Sequence, residues 1–256
     1  MGTTLPVLDA AITDVARLIR SGKSLAALNA VDAVLTWPTL EDDDRLRLLN
    51  EAAGLAIRMD RFRRSRAYIR QAIALAPGDA AGYYELGRSF EDDPNGCDAK
   101  ARRCFRKAVT LNATAPTFRA ALGRAMIRNN EFRSGIKVLC KAAEAAPAEA
   151  DVLSVVLDGL REAGRADLAF CYLTQARFLA PGDRGILQLW NRAKYDVAAE
   201  KQRGPKASLA PIANESVRPF LKLYREDAAP ARTRRDSTSM NRAHIGRLRA
   251  FRADRG

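Results

Sequence analysis

The sequence predicts an all-α chain built as a solenoid of about five helix-turn-helix repeats, closed by one further helix. Two observations carry this expectation. The stretches Ser65…Ile69…Ala72…Pro77, Ala101…Phe105…Ala108…Ala113, Gly135…Leu139…Ala142…Pro147 and Ala169…Leu173…Ala176…Pro181 share one spacing of four, three and five residues, and the last three step by 34. A small residue, a large apolar residue, an alanine and then a terminator describe a helix that packs closely and stops. Upstream of three of these lies a partner signature, Leu86-Gly87…Phe90, Leu122-Gly123…Met126 and the weaker Val156-Leu157…Leu160. A fixed period with two helical signatures per unit is the mark of stacked helix pairs.

Taken in order, the first repeat keeps only the spacing of its second helix, in Ala26, Ala30, Ala33 and Pro38. The second places helices near 43–57 and 61–75 and carries Ala53 where later repeats carry glycine. Repeats three to five are clear, although Asn112-Ala113 stands in place of the proline in the third, and polar insertions fall at Glu41-Asp42-Asp43-Asp44 and Asp92-Asp93-Pro94-Asn95-Gly96. Gly87, Gly123, Ala101, Ala108, Ala142, Ala169 and Ala176 fall where antiparallel helices must approach, so a branched side chain there would force the helices apart. Asp79 and Asp183, each after Pro-Gly, read as helix caps. Beyond Pro181, Ile186, Leu187, Leu189, Trp190, Ala193 and Val197 recur at helical spacing with no second helix after them, which predicts a capping helix. Residues 1–202 therefore form the expected solenoid domain.

Tyr83, Leu86, Gly87, Phe90, Ala101, Phe105 and Ala108 resemble the tetratricopeptide repeat family, and the resemblance runs from about Val7 to Asp183. It implies a right-handed α-solenoid whose first helices line a concave groove, with positions one and five residues beyond the glycine facing inward. Those positions are Gly54 and Arg58, Arg88 and Asp92, Arg124 and Arg128, and Asp158 and Glu162; neighbouring inward positions add Arg47, Asn50, Tyr84, Arg161, Gln188 and Arg192. The expected peptide-binding groove is thus Arg47, Asn50, Arg58, Tyr84, Arg88, Arg124, Arg128, Arg161 and Arg192. Arginine presents a planar fork suited to carboxylates, so an acidic peptide or protein segment is the expected partner. Co-chaperones of the family hold a terminal carboxylate with lysines and asparagines, and Asn50, Gly54, Glu85, Thr117 and Ala121 do not reproduce that set.

Charge adds a second reading. The formal net charge is +13, and residues 203–256 supply +8 of it from 13 Lys+Arg against five Asp+Glu. Four prolines and few large apolar residues predict a basic flexible tail there. Val217, Phe220, Leu221 and Tyr224, and then Ile245, Leu248 and Phe251, make short apolar faces that could fold on a partner, an anionic surface or the groove itself. On the second helices, Arg63, Arg64 and Arg70 and, one repeat later, Arg102, Arg103 and Arg106 form a candidate patch for nucleic acid or another polyanion. Phe62, Tyr68 and Phe105 read as inward-facing, which leaves no base-stacking platform.

Catalysis is not expected. The single histidine, His244, falls in the tail, and the carboxylates fall mostly in turns, away from any held constellation. Cys97, Cys104, Cys140 and Cys171 lack CxxC spacing and read as reduced packing residues. No cofactor or metal is expected. The chain shows no signal-peptide pattern and no apolar run of spanning length, so a cytoplasmic adaptor is the leading expectation.

Overall fold

The computed structural model describes residues 5–203, and the basic tail predicted at 203–256 lies, apart from Arg203, outside them. The described residues form eleven helices: α1 (Leu5–Arg20), α2 (Ser24–Leu35), α3 (Asp42–Arg58), α4 (Phe62–Leu75), α5 (Ala80–Glu91), α6 (Asp98–Leu111), α7 (Pro116–Arg128), α8 (Phe132–Ala145), α9 (Ala150–Glu162), α10 (Ala166–Leu179) and α11 (Arg184–Arg203). Each odd-numbered helix up to α9 packs on the even one that follows, and α11 closes the stack against α9 and α10. This is an α-solenoid of five helix pairs with a terminal helix.

The turn inside each pair has a common chemical basis. Gly22, Asp60, Asn130 and Gly164 have φ between 56° and 73°. Left-handed backbone is open to glycine and tolerated by Asp and Asn. In each case the amide of the next residue bonds back into the last turn of the helix, as in Arg61 N–H to Ala56 O at 2.8 Å and Arg165 N–H to Leu160 O at 2.8 Å. This satisfies carbonyls that a helix end leaves unpaired. The pair α5–α6 departs from the pattern because the Asp92–Gly96 insertion replaces the tight turn. Between pairs, Asp79 accepts from Ala81 N–H and Asp183 from Ile186 N–H, both at 2.9 Å, as side-chain caps of α5 and α11.

The repeated small residues are where the helices touch. Ser65, Ala101, Ala108, Ala142, Ala169 and Ala176 are buried, as are Ile69, Phe105, Leu139 and Leu173 between them. A β-carbon on Gly87 would lie 2.6–2.9 Å from the Phe105 ring, and one on Gly135 would lie 2.8 Å from the Gly123 carbonyl oxygen. α7 faces both ways, giving Ala121 and Ala125 to an N-terminal core and Ala120 and Ile127 to a C-terminal one.

Two expectations differ in detail. In the first repeat the buried stripe is Ala27, Val31 and Val34, while Ala26 and Ala33 are exposed and Ala30 is half-buried. The same four-three spacing moves on by one residue, because larger side chains must fill space that alanines would leave empty. A further close approach falls between repeats at Gly159 of α9, where a β-carbon would lie 2.7 Å from Leu139 of α8 and 3.3 Å from Arg124 of α7. On α11, Ile186, Ala193 and Val197 are buried and Trp190 donates to Thr174 Oγ1 at 3.2 Å, whereas Leu187 turns outward.

The two insertions are tied down. Arg45 donates to the carbonyls of Leu35 and Trp37, joining α3 to the end of α2. Arg66 stands in sequence among the outward arginines of α4, yet it is buried. It donates to Ser89 O and to Asp93, both at 2.9 Å, and lies 4.7 Å over the Phe90 ring. The insertion brings Asp93 to Arg66, and that pairing permits the guanidinium to be buried.

Candidate functional site

The first-helix face is built by repetition: one helical position recurs in each repeat, so side chains 34–38 residues apart become neighbours. Arg192 of α11 donates to Asp158 of α9 at 2.7 Å. Arg124 and Arg128 of α7 both donate to Glu162 of α9 at 3.0–3.1 Å. Arg128 Nη1 also stands 3.2 Å and Arg124 Nη1 3.7 Å from Glu91 of α5. These bridges bring Arg124, Arg128, Asp158, Glu162 and Arg192, all expected in the groove, onto one continuous face.

The face is far less basic than the arginine count implies, because its centre is internally neutralised. Two guanidiniums meet two carboxylates in the Glu91–Arg124–Arg128–Glu162 network. Sequence reasoning missed Glu91, although it stands in α5 where Arg161 stands in α9, four residues beyond the glycine position of its repeat. The remaining arginines have looser partners: Arg88 lies 3.8 Å from Asp92, Arg47 3.8 Å from Glu51, and Arg161 3.6 Å from Asp158. Arg58 makes no ion pair among the described residues. Tyr84 is half-buried, with its ring 4.9 Å from Phe118 and 5.8 Å from Phe105, so much of its surface is spent joining α5 to α6 and α7.

The two carboxylates of the network differ in their electrostatics. Burial is the largest influence on both. At Glu91 it prevails over the attraction of Arg124 and Arg128 and raises the carboxyl pKa. At Glu162 the hydrogen bond from Arg128 and the charge of Arg124 outweigh burial and lower it. A lowered native pKa means that Glu162 adds stability above the unfolded carboxylate value of about 4.3, and this is lost as pH falls through the native value. Glu91 acts in the opposite sense, since its native state binds the proton more tightly. Glu162→Gln is therefore expected to cost about 1 kcal/mol at neutral pH, and Glu91→Gln to cost nothing or to stabilise. Urea unfolding at pH 7 checks both, and a larger loss from Glu91→Gln would contradict the assignment.

On the second helices, Arg63, Arg70, Arg103 and Arg106 are exposed and make no ion pair among the described residues. Arg64 is held by Asp32 at 2.6 Å and by the Tyr68 hydroxyl at 2.7 Å, and Arg102 pairs with Glu131. Burial pushes the Tyr68 hydroxyl up to about 12, and its bond to Asp32 adds to this. Tyr68 and Phe105 are buried, as the sequence suggested. Arg70 of α4 and Arg103 of α6 both bear electrostatically on the Cys104 thiol.

The four cysteines are free thiols. Burial raises the pKa of Cys104, Cys140 and Cys171, the last to about 12, so these are not poised thiolates. Among the described residues no group of His, Cys, Asp and Glu could hold a metal, and no helix is long and apolar enough to cross a membrane.

Solved structures match this arrangement. The structure of a MamA protein superposes with a TM-score of 0.54 at 16% identity, over 82% of this chain and 100% of that one. The tetratricopeptide-repeat protein TTC0263 of Thermus thermophilus gives 0.54 at 16% identity, over 75% of this chain and 99% of that one. The chain has the tetratricopeptide-repeat fold. No protein-family model matches the sequence, and no curated protein matches it. Helix pairs of this repeat present a first-helix face and a second-helix face, and the two arginine sets described above divide between them.

Proposed function

We propose that the chain is a non-enzymatic cytoplasmic scaffold or adaptor that binds an acidic peptide or protein segment along its first-helix face. In this reading residues 1–202 are the solenoid with its capping helix, and 203–256 form a basic arm that adds a second contact. The observation that carries it is the ladder of ion pairs that joins α5, α7, α9 and α11 through Glu91, Arg124, Arg128, Glu162, Asp158 and Arg192, while Arg58 of α3 and Arg88 of α5 have no partner on another helix among the described residues. The central pair, Arg124 and Arg128, already holds Glu91 and Glu162, so an acidic ligand draws chiefly on Arg58, Arg88 and the other loosely held arginines.

The test is the binding of a randomised twelve-residue peptide pool with a fixed Leu-Asp-Glu centre, followed by fluorescence anisotropy. The double reversal Arg58→Glu/Arg88→Glu is expected to weaken it by about 2–3 kcal/mol, the scale of lost charge-assisted contacts with added repulsion. Arg103→Glu/Arg106→Glu on the opposite face should leave it unchanged. Equal binding by both double variants and the parent would remove the first-helix face from the account.

A second reading is favoured by one observation, the exposed Arg63, Arg70, Arg103 and Arg106 of α4 and α6, which make no ion pair among the described residues. With the basic arm, that face would serve a polyanion such as RNA or DNA. Affinity would then fall by about 0.7–0.9 log units per log unit of salt for each phosphate neutralised. Nucleic acid that displaces the acidic peptide would place both ligands on one surface and count against separate faces.

A further inference from the structure

Resting on the peptide-binding reading, we propose that the acidic ligand is anchored at the N-terminal end of the first-helix face, in a pocket between α1 and α3. The cavity there has a volume of about 370 Å³. Ala16 and Ile19 contribute apolar surface beside the buried Leu55, and Arg20, Arg58 and Asn50 stand around it. The ligand class that fits is a carboxylate next to an apolar side chain: the carboxylate bridges Arg20 and Arg58, Asn50 donates to it, and the apolar group enters the pocket.

Gly54 is the observation that carries this furthest. It lies in the middle of the seventeen-residue helix α3, where glycine is unfavourable relative to alanine. Gly87, Gly123, Gly135 and Gly159 have a packing reason, since a β-carbon on each would lie within 2.9 Å of a neighbouring helix's atoms. Gly54 has none. A β-carbon there would approach only the flexible end of Arg58, at 3.6 Å, which is ordinary contact. What the missing side chain provides is open volume on the ligand-facing side of the helix.

Charge points the same way. Among the described residues, Arg58 has no carboxylate partner, unlike Arg124 and Arg128, and Arg20 uses only its Nε, to the Ala16 carbonyl at 3.3 Å. Glu51, the acidic group among the described rim residues, faces Arg47 at 3.8 Å. The anchoring charge is thus at the start of the solenoid, while the middle of the face is already satisfied.

The experiment measures the same Leu-Asp-Glu peptide pool, with free and with amidated C-termini, against the full chain and three variants. Gly54→Leu fills the pocket, and it should keep or raise the melting temperature while lowering affinity at least about tenfold. Arg20→Glu/Arg58→Glu should do the same to affinity. Arg88→Glu should have the smaller effect. Equal loss for both peptide forms assigns the carboxylate to an internal acidic side chain; loss confined to the free form assigns it to a chain terminus, and either supports the pocket. If the parent binds the pool and Gly54→Leu binds it equally well, the pocket is overturned while the groove reading stands. If the parent does not bind the pool, the peptide-binding reading falls and this inference with it.

Discussion

Gly123→Leu is expected to destabilise the chain by about 3 kcal/mol, the upper part of the range for overpacking. A β-carbon at this position would lie 2.8 Å from Leu139 Cγ and 3.1 Å from the Gly135 carbonyl oxygen. Movement of the Leu139 side chain alone does not relieve this, because the backbones also meet: a β-carbon on Gly135 would lie 2.8 Å from the Gly123 carbonyl oxygen and 3.1 Å from the Ile127 nitrogen. α7 and α8 therefore touch almost backbone to backbone. Since α7 contributes to both halves of the core, separating it from α8 also loosens the contact with α9. Chemical denaturation measures the loss, and a midpoint unchanged from the parent would mean that the α7–α8 contact is wrongly placed.

Arg124→Glu is expected to cost about 2–4 kcal/mol, in spite of lying on the ligand-facing surface. Removing one partner of a poorly solvated ion pair leaves the other charge uncompensated. Here the replacement adds a third carboxylate beside Glu91 and Glu162, and only 11% of the Glu91 side chain is exposed. Arg88 and Arg124 hold equivalent positions in the sequence, one residue beyond the glycine of their repeats. The structure separates them, because Arg88 is 47% exposed with a distant partner and its reversal should stay within about 0.5 kcal/mol. Thermal unfolding of the two single variants checks the contrast, and equal melting temperatures would contradict the network.

Why the fold was legible and the site only partly so follows from where each signal resides. Packing in a solenoid repeats with the chain, so Gly87 with Phe105 and Gly123 with Leu139 leave the same imprint in successive repeats. Direction of side chains repeats too, and it placed Arg124, Arg128, Asp158 and Arg192 on one face. Pairing does not repeat. Whether Arg128 is free depends on Glu91 one repeat before and Glu162 one repeat after, and neither follows from the motif. Arg66 illustrates the same limit, since it looks like one more arginine in a basic helix until the Asp92–Gly96 insertion delivers Asp93 to it. The first repeat is displaced by one residue because its alanines carry the visible spacing, whereas Ala27, Val31 and Val34 fill the core. The left-handed turn residues Gly22, Asp60, Asn130 and Gly164 were readable in principle, as each precedes a second helix by a residue or two.

The central claim, that ligand is held on the first-helix face, is tested most directly by amide chemical-shift mapping of the isotopically labelled chain with the acidic peptide pool. The account predicts perturbations concentrated at Asn50, Gly54, Arg58 and Arg88 on α3 and α5, with α4 and α6 unaffected. Perturbations centred instead on Arg63, Arg70, Arg103 and Arg106 would contradict it.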